Sequence, residues 1–377
     1  STGPAKGVED EHGMFCAQAD LLQARFRIAR GERDLPGFPL FALYNVTMGV
    51  TSVFPDIDTT KPAAVDPRHV VAPILKQQVT QAFGSPALWE RVGRHCQQQQ
   101  ITLPSLARVL SAGAPVPPAV VESIREALTD PTADIHTPYG ATEALPVAVI
   151  SGREIIESTA ADSARGAGTC VGTLFPEVDV RIAEIDDGPI EHFEKLKLLE
   201  SGEIGEIVVR GPCVTTSYFR RDEATRAAKV RDGASTWHRM GDVGYLDTAG
   251  RLWFCGRKAH RVETQHGTLF SVPCEAIFNQ HADVRRSALV GLGNRPRQQP
   301  AIVIECESGQ QPRDRLVEEL RRLAEENPLT ASIQSVLFHD SFPVDIRHNV
   351  KINREELALW AAGEMAAGTQ RSAATPR

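Results

Sequence analysis

The sequence predicts an α/β protein in three parts. Up to residue 167, apolar runs of strand length alternate with stretches whose apolar residues recur at helical spacing, the pattern of a layered α/β sheet. From 168 to 256 the text turns strand-like and rich in glycine (TCVGTLFP, VDVRIAEI, GEIGEIVVRGP, GYLDTAGRLWFCGR), which predicts a β-rich part of the same large domain. A polar, charged segment at 257–264 (RKAHRVET) reads as a hinge. Residues 265–362 then predict a small α+β domain, and the Ala/Ser/Thr-rich end at 363–377 a flexible tail.

Taken in order, residues 8–30 carry apolar residues at helical spacing and predict a helix after the opening loop. Residues 38–55 (FPLFALYNVTMGVTSVFP) read as strand, turn and a Gly-interrupted apolar segment. Residues 69–83 read as a helix, 87–100 as a helix ending in four glutamines, and 106–110 as a short strand. Residues 117–128 form an amphipathic pattern with proline in the first turn, and 135–142 run from strand into turn. DTAG at 247–250 is a hairpin signal. In the small domain, helices are expected at 273–281, 313–326 and 353–362, and strands at 287–291, 301–305 and 335–338.

With 377 residues the chain has room for two or three domains and a core that needs no covalent staples. Its net charge of −7 speaks against non-specific nucleic-acid binding, which rests on a Lys/Arg excess. The seven cysteines stand singly with no CxxC pair, so neither a zinc ribbon nor a disulfide framework is indicated, and a reducing, cytoplasmic setting is expected. No apolar run reaches the roughly 18–20 residues of a membrane span.

Four segments carry groups suited to nucleotide chemistry. STGPAKG at 1–7 offers backbone N–H groups, two hydroxyls and an ammonium to a polyphosphate, although it is not a GxxxxGK[ST] loop and also reads as a surface turn. YGATE at 139–143 places an aromatic ring, a hydroxyl and a carboxylate in a row; the ring suits a base, the hydroxyl a phosphate and the carboxylate Mg²⁺, while a capped helix start with Thr142 as N-cap is the plainer reading. Gly241-Asp242 and Gly256-Arg257 suit a ribose and a phosphate, or else a turn aspartate and a surface arginine. Lys351, before the last predicted helix, suits phosphate charge or simply solvent.

The order of these segments is more specific than any one of them. STGxxKG, YGxTE, GEIGEIVVRGP, GDxGxLDxxGxLWFxGR and KIxREEL follow one another, and with this order the sequence resembles the adenylate-forming superfamily of acyl-CoA synthetases, luciferases and peptide-synthetase adenylation domains, from residue 1 to about 360. The resemblance implies that superfamily's fold, with a large N-terminal domain only partly present here and a small mobile C-terminal domain. It also implies ATP and Mg²⁺. Thr2, Gly3 and Lys6 would handle the β- and γ-phosphates, and Gly113, Ala114 and Pro115 would line the adenine, with Tyr139 stacked on it. Thr142 would contact the α-phosphate, Glu143 would hold Mg²⁺, Asp242 would bind the ribose hydroxyls with Arg257 nearby, and Lys351 would stabilise the adenylation transition state. Residue 1 then falls inside the phosphate loop, and a preceding subdomain is expected.

Three features depart from the general pattern. Ala42-Leu43-Tyr44 follows the PLF segment where many CoA ligases carry a histidine. Ala259 stands where the hinge usually carries Asp or Lys, and Val350 precedes the lysine where glycine is usual. PVDIRHNVKINREELALWA, HTPYGATEALPVA and GRKAHRVET resemble a smaller branch, the β-lactone synthetases of bacterial olefin biosynthesis. This implies adenylation of a long-chain 2-alkyl-3-hydroxy acid, then attack by its own β-hydroxyl without CoA, with other olefin-biosynthesis enzymes as partners. An acyl-CoA or acyl-AMP ligase and a non-catalytic nucleotide-binding protein are the alternatives. The apolar segments 38–54 and 145–149 would wall the acyl chain. His136, three residues before Tyr139, is the candidate base for lactone closure, with His260, His348 and the substrate phosphate as other candidates.

Overall fold

The computed structural model describes residues 6–307, 313–344 and 352–373. Thr2, Gly3, His348 and Lys351 lie outside the described residues. The described chain divides into two compact units, one built from residues 6–160 and 170–253, the other from 161–169 and the chain beyond 253.

In the first unit, four short strands run parallel: Arg33–Pro36, Gln81–Gly84, Arg108–Ser111 and Asp134–Ala141, in that spatial order. Parallel neighbours need crossovers, and the helices Arg68–Gln77, Pro86–Gln99 and Pro118–Ala127 supply them. Their apolar faces form one core with the strands, around the fully buried Trp89, Ile74, Ile124 and Ile135. Ser85 caps Pro86–Gln99 by accepting from the Leu88 amide at 3.3 Å, with proline at the first helical position. Inside, the Trp89 indole donates to the Leu110 carbonyl at 3.1 Å. Strand Ala144–Ser151 returns antiparallel to Asp134–Ala141 and pairs in turn with Thr169–Leu174. An antiparallel group, Asp179–Ala183, Gly205–Arg210, Ser235–Leu246 and Lys229–Asp232, makes up the β-rich part.

Four expectations are corrected. The helix expected at 8–30 is confined to His12–Phe26, because Val8–Glu9 is drawn into a strand against Ser217–Tyr218. The strand expected after residue 38 is a turn of 3-10 helix, Pro39–Phe41, running into the α-helix Ala42–Met48. Proline starts that helix, Gly49 ends it in the left-handed region at φ 69°, and Phe41 packs inward on Phe83 at 4.1 Å. The helix expected at 69–83 stops at Gln77, where Gln78 takes a left-handed φ of 51°, and the apolar text beyond it is the strand Gln81–Gly84. The tail expected from 363 continues the last helix, Arg354–Ala373, whose Ala, Glu, Met and Gln residues favour helix strongly enough to carry two glycines.

The second unit has a three-stranded sheet, Val284–Leu292, Gln299–Cys306 and Ser335–Phe338, antiparallel then parallel. Helices Ser271–Phe278 and Arg313–Glu325 share a core with it through Phe278, Leu289, Ile302, Ile304, Leu316 and Leu320. Arg354 donates from Nη2 to both carboxylate oxygens of the buried Glu275, at 2.7 Å each, and so ties down the start of the last helix. The segment 257–264 is a 3-10 turn, Lys258–His260, followed by strand Val262–Thr264 in a hairpin with Gly267–Leu269. None of the seven cysteines forms a disulfide.

Replacing Trp89 with Ala is expected to cost about 3–5 kcal/mol, from the cavity and the lost partner of the Leu110 carbonyl. The midpoint of urea unfolding reports it, and a loss below about 1 kcal/mol contradicts the packing described.

Candidate active site

Ligands of α/β sheets gather beyond the carboxyl ends of parallel strands. Two predicted segments leave neighbouring strands at that edge. Residues 112–117 follow Arg108–Ser111, with Gly113 in the left-handed region at φ 98°, and Ala114 and Pro115 behind it. Thr142 and Glu143 follow Asp134–Ala141, whose register against its neighbour runs from Arg108↔Asp134 to Leu110↔His136. The buried Asp134 secures the strand's root, accepting from the amides of Ile135 at 2.9 Å and Arg153 at 3.0 Å, with the Arg125 guanidinium at 3.2 Å. Thr142 is not a helix cap. With Ala141 paired to Ala144, Thr142 and Glu143 are the two tip residues of a hairpin, and both side chains project from a tight turn.

The hairpin meets the β-rich part at Asp242. The Tyr139 hydroxyl donates to the Asp242 carboxylate at 2.7 Å, across 103 positions of sequence. Asp242 is only 5% exposed, and its strand, Ser235–Leu246, is held by the fully buried Arg239–Glu206 pair at 2.6 Å. Arg239 also donates to the carbonyls of Gly188 at 2.6 Å and Ala227 at 3.2 Å, so the buried guanidinium is well partnered. The predicted base and ribose residues therefore touch one another.

Glu143 is held from below by residues the sequence reading passed over. The Thr215 amide donates to the Glu143 carbonyl at 2.9 Å, and its hydroxyl to the same carbonyl at 3.2 Å. The Tyr218 hydroxyl donates to Glu143 Oε1 at 2.6 Å. Lys229, 7% exposed, donates to the Thr215 carbonyl and hydroxyl. Burial pulls its ammonium down to about 8, against the opposing pull of Glu143's negative charge. Lys6 lies with its ammonium 4.7 Å from the Tyr218 ring centre, so the end of the predicted phosphate loop reaches the same cluster. A lone lysine in the otherwise apolar and alanine-rich text AAKV was the available signal.

His136 stands three residues before Tyr139 on the same strand. Its ring lies against Phe26 at 5.1 Å, and burial lowers its pKa, which favours the neutral imidazole. The two segments assigned to the acyl chain differ in exposure: Phe38, Leu40, Leu43, Val46 and Phe54 are exposed, while Val147, Ala148 and Val149 are buried in the sheet. Arg257 belongs to the second unit, at the end of strand Arg251–Arg257. There His260 is pushed down to about 4 by burial and by the nearby charges of Arg354, Arg257 and Arg295.

Glu143 suits Mg²⁺: a hard carboxylate oxygen at a turn tip, one protein ligand to be completed by phosphates and water. Among the described residues no group of three or more His, Cys, Asp or Glu is arranged to hold a metal. Among them, too, no helix is long and apolar enough to cross a membrane.

Lys229 gives a pH test. Its pKa is lowered in the folded state from an ordinary 10.5 to about 8, so its contribution is complete above 10.5 and is lost as pH falls through 8. The stability of the protein relative to Lys229→Met is expected to rise by on the order of 1–3 kcal/mol between pH 7 and 10. Urea unfolding at the two pH values measures it, and a constant difference contradicts the buried placement.

Comparison with known proteins places the chain in a family. The chain is 49% identical over 370 residues to an olefin beta-lactone synthetase of Stenotrophomonas maltophilia, covering 97% of this chain and 66% of that protein. It thus spans just under two thirds of that relative's length. The fold matches the amide bond synthetase McbA of Marinactinospora thermotolerans with a TM-score of 0.74 at 25% identity, over 95% of this chain and 68% of that one. It also matches the O-succinylbenzoate coenzyme A synthetase of Bacillus subtilis, solved with ATP and magnesium, with a TM-score of 0.73 at 20% identity, over 93% and 66%. The model of the AMP-binding enzymes matches residues 1–219, more than half of the chain, and the chain belongs to that family.

Proposed function

We propose that the protein to which this chain belongs activates a long-chain 2-alkyl-3-hydroxy acid with ATP and closes it to a β-lactone, releasing pyrophosphate and AMP. The observation that carries the reading is the 49% identity with an olefin beta-lactone synthetase, which extends along 97% of the chain. The Tyr139–Asp242 hydrogen bond, on the strand that leads to Thr142 and Glu143, supports its nucleotide-binding part.

In the first step a carboxylate oxygen of the substrate attacks the α-phosphorus, and the bond to pyrophosphate breaks. Tyr139 presents its ring to the adenine, beside the segment 113–115, and Asp242 accepts the ribose hydroxyls. Thr142 donates to the α-phosphate. Mg²⁺, held by Glu143 when bound, offsets phosphate charge. Lys6 at the loop end and Lys351 supply further positive charge where it develops in the transition state. Thr2 and Gly3 serve the phosphates with Lys6, and Arg257 serves the nucleotide.

In the second step the β-hydroxyl oxygen attacks the acyl carbon, the bond to AMP breaks, and the hydroxyl proton passes to a base. His136 is the protein group proposed for it, by its place three residues before Tyr139 and because burial favours its neutral imidazole. Both reacting groups sit on one molecule, so the ring closes with an effective molarity of up to about 10⁵–10⁸ M when well oriented. No external thiol is needed, in keeping with Ala42, Ala259 and Val350 at three positions where CoA ligases differ. The reading includes a cytoplasmic setting and partner enzymes of olefin biosynthesis.

Pyrophosphate exchange into ATP, run on the full-length protein with a racemic 2-alkyl-3-hydroxy fatty acid, tests the first step. Exchange is expected with the wild type, and Lys351→Ala should slow it by about 10²–10³-fold with little change in thermal stability. Absence of exchange in the wild type, or an unaltered rate in the variant, refutes the assignment.

A further inference from the structure

A glutamate at the tip of a two-residue turn has little to fix its rotamer, yet a metal ligand must be held still. Glu143 is held from a single neighbouring segment. Residues 214–218 run past the hairpin tip, with Ala144 bridged antiparallel to Val214 and Thr215 bonded twice to the Glu143 carbonyl. Three residues on, Tyr218 turns its hydroxyl to Glu143 Oε1 at 2.6 Å, a short hydrogen bond to a charged acceptor. Tyr218 is 4% exposed, so its ring cannot swing away without opening the packing around it.

The same segment holds the strand that leaves the phosphate loop. Val8 pairs with Tyr218 and Glu9 with Ser217, the Phe219 amide donates to the Gly7 carbonyl at 2.9 Å, and the Ser217 hydroxyl donates to the Glu9 carboxylate at 2.5 Å. The ammonium groups of Lys6 and Lys229 lie 4.7 and 5.9 Å from the Tyr218 ring centre. One tyrosine thus touches the predicted metal carboxylate with its hydroxyl and the end of the phosphate loop with its backbone and ring.

We propose that Tyr218 is a positioning residue for Glu143: it fixes the carboxylate through Oε1, leaves Oε2 for the cation, and keeps that carboxylate in register with the phosphate loop. The inference rests on the reading of Glu143 as the Mg²⁺ ligand. Tyr218 does not touch the metal or the nucleotide. Its contribution is to restrict the carboxylate to one orientation before MgATP arrives, so its loss should weaken metal binding more than it slows a fully loaded enzyme.

The test uses the full-length protein with ATP and Mn²⁺ as a paramagnetic substitute for Mg²⁺, with free Mn²⁺ followed by electron paramagnetic resonance. Tyr218→Phe keeps the ring, and its unfolding temperature should match the parent's. Its Mn²⁺ dissociation constant in the presence of ATP should rise about tenfold. The Mg²⁺ concentration for half-maximal pyrophosphate exchange should rise in parallel, with the rate at saturating Mg²⁺ little changed. Glu143→Gln should weaken Mn²⁺ binding at least as much, and adding Tyr218→Phe to it should do nothing further. If Glu143→Gln weakens binding and Tyr218→Phe does not, the positioning role is overturned while the metal assignment stands. If Glu143→Gln leaves binding unchanged, the metal assignment fails and the role of Tyr218 with it. Additive losses in the double variant overturn the proposal as well, since they show Tyr218 acting by a route other than Glu143.

Discussion

The strand Asp134–Ala141 pairs parallel on one side and antiparallel on the other, and the rest of the site depends on that switch. Its parallel side ties it to the doubly buried strands that end beside residues 112–117. Its antiparallel side allows the chain to reverse in two residues, so that Thr142 and Glu143 project from the carboxyl edge of the sheet. A crossover helix at this point would carry both side chains away. The buried Asp134 fixes the root of the strand with three donors, and the Tyr139 hydroxyl joins its outer end to Asp242.

Several polar groups lie under cover in and beside the candidate site. Asp242, Arg239, Glu206 and Lys229 are each less than a tenth exposed. Removing such groups from water is costly unless each finds partners, and a half-satisfied network is worse than an apolar core. Here carbonyls of Gly188, Ala227 and Thr215, and the hydroxyls of Thr215 and Tyr139, supply partners. The arrangement is weak evidence of stability, because apolar residues of similar volume often stabilise a core at least as well.

Much of the fold was legible because its signals are local. The helices at 86–99 and 118–127 carry proline at their starts and a clear apolar face, and DTAG marks a hairpin that the structure places between Ser235–Leu246 and Arg251–Arg257. Errors came where one apolar run serves two elements. The text at 69–83 is continuous in hydrophobicity, and only the left-handed turn at Gln78 separates helix from strand. At 38–48 the aromatic residues favour strand by propensity, but proline and the packing of Phe41 on Phe83 decide for helix. In the candidate site, the sequence order singles out Tyr139, Thr142, Glu143 and Asp242, and the structure joins Tyr139 to Asp242. Thr215 and Tyr218 were not legible, because they pair with a residue more than 70 positions away, nor was Lys229, which bonds to Thr215, and no local pattern announces that.

In the function proposed, an activated hydroxy acid closes on itself with no thiol taking part. Mass spectrometry of the products formed by the full-length protein from ATP, Mg²⁺ and a racemic 2-alkyl-3-hydroxy fatty acid, with and without CoA, tests it most directly. The account predicts a product lighter than the substrate by one water, together with AMP, in equal amount whether CoA is present or not. An acyl-CoA product, or turnover that requires CoA, would contradict it.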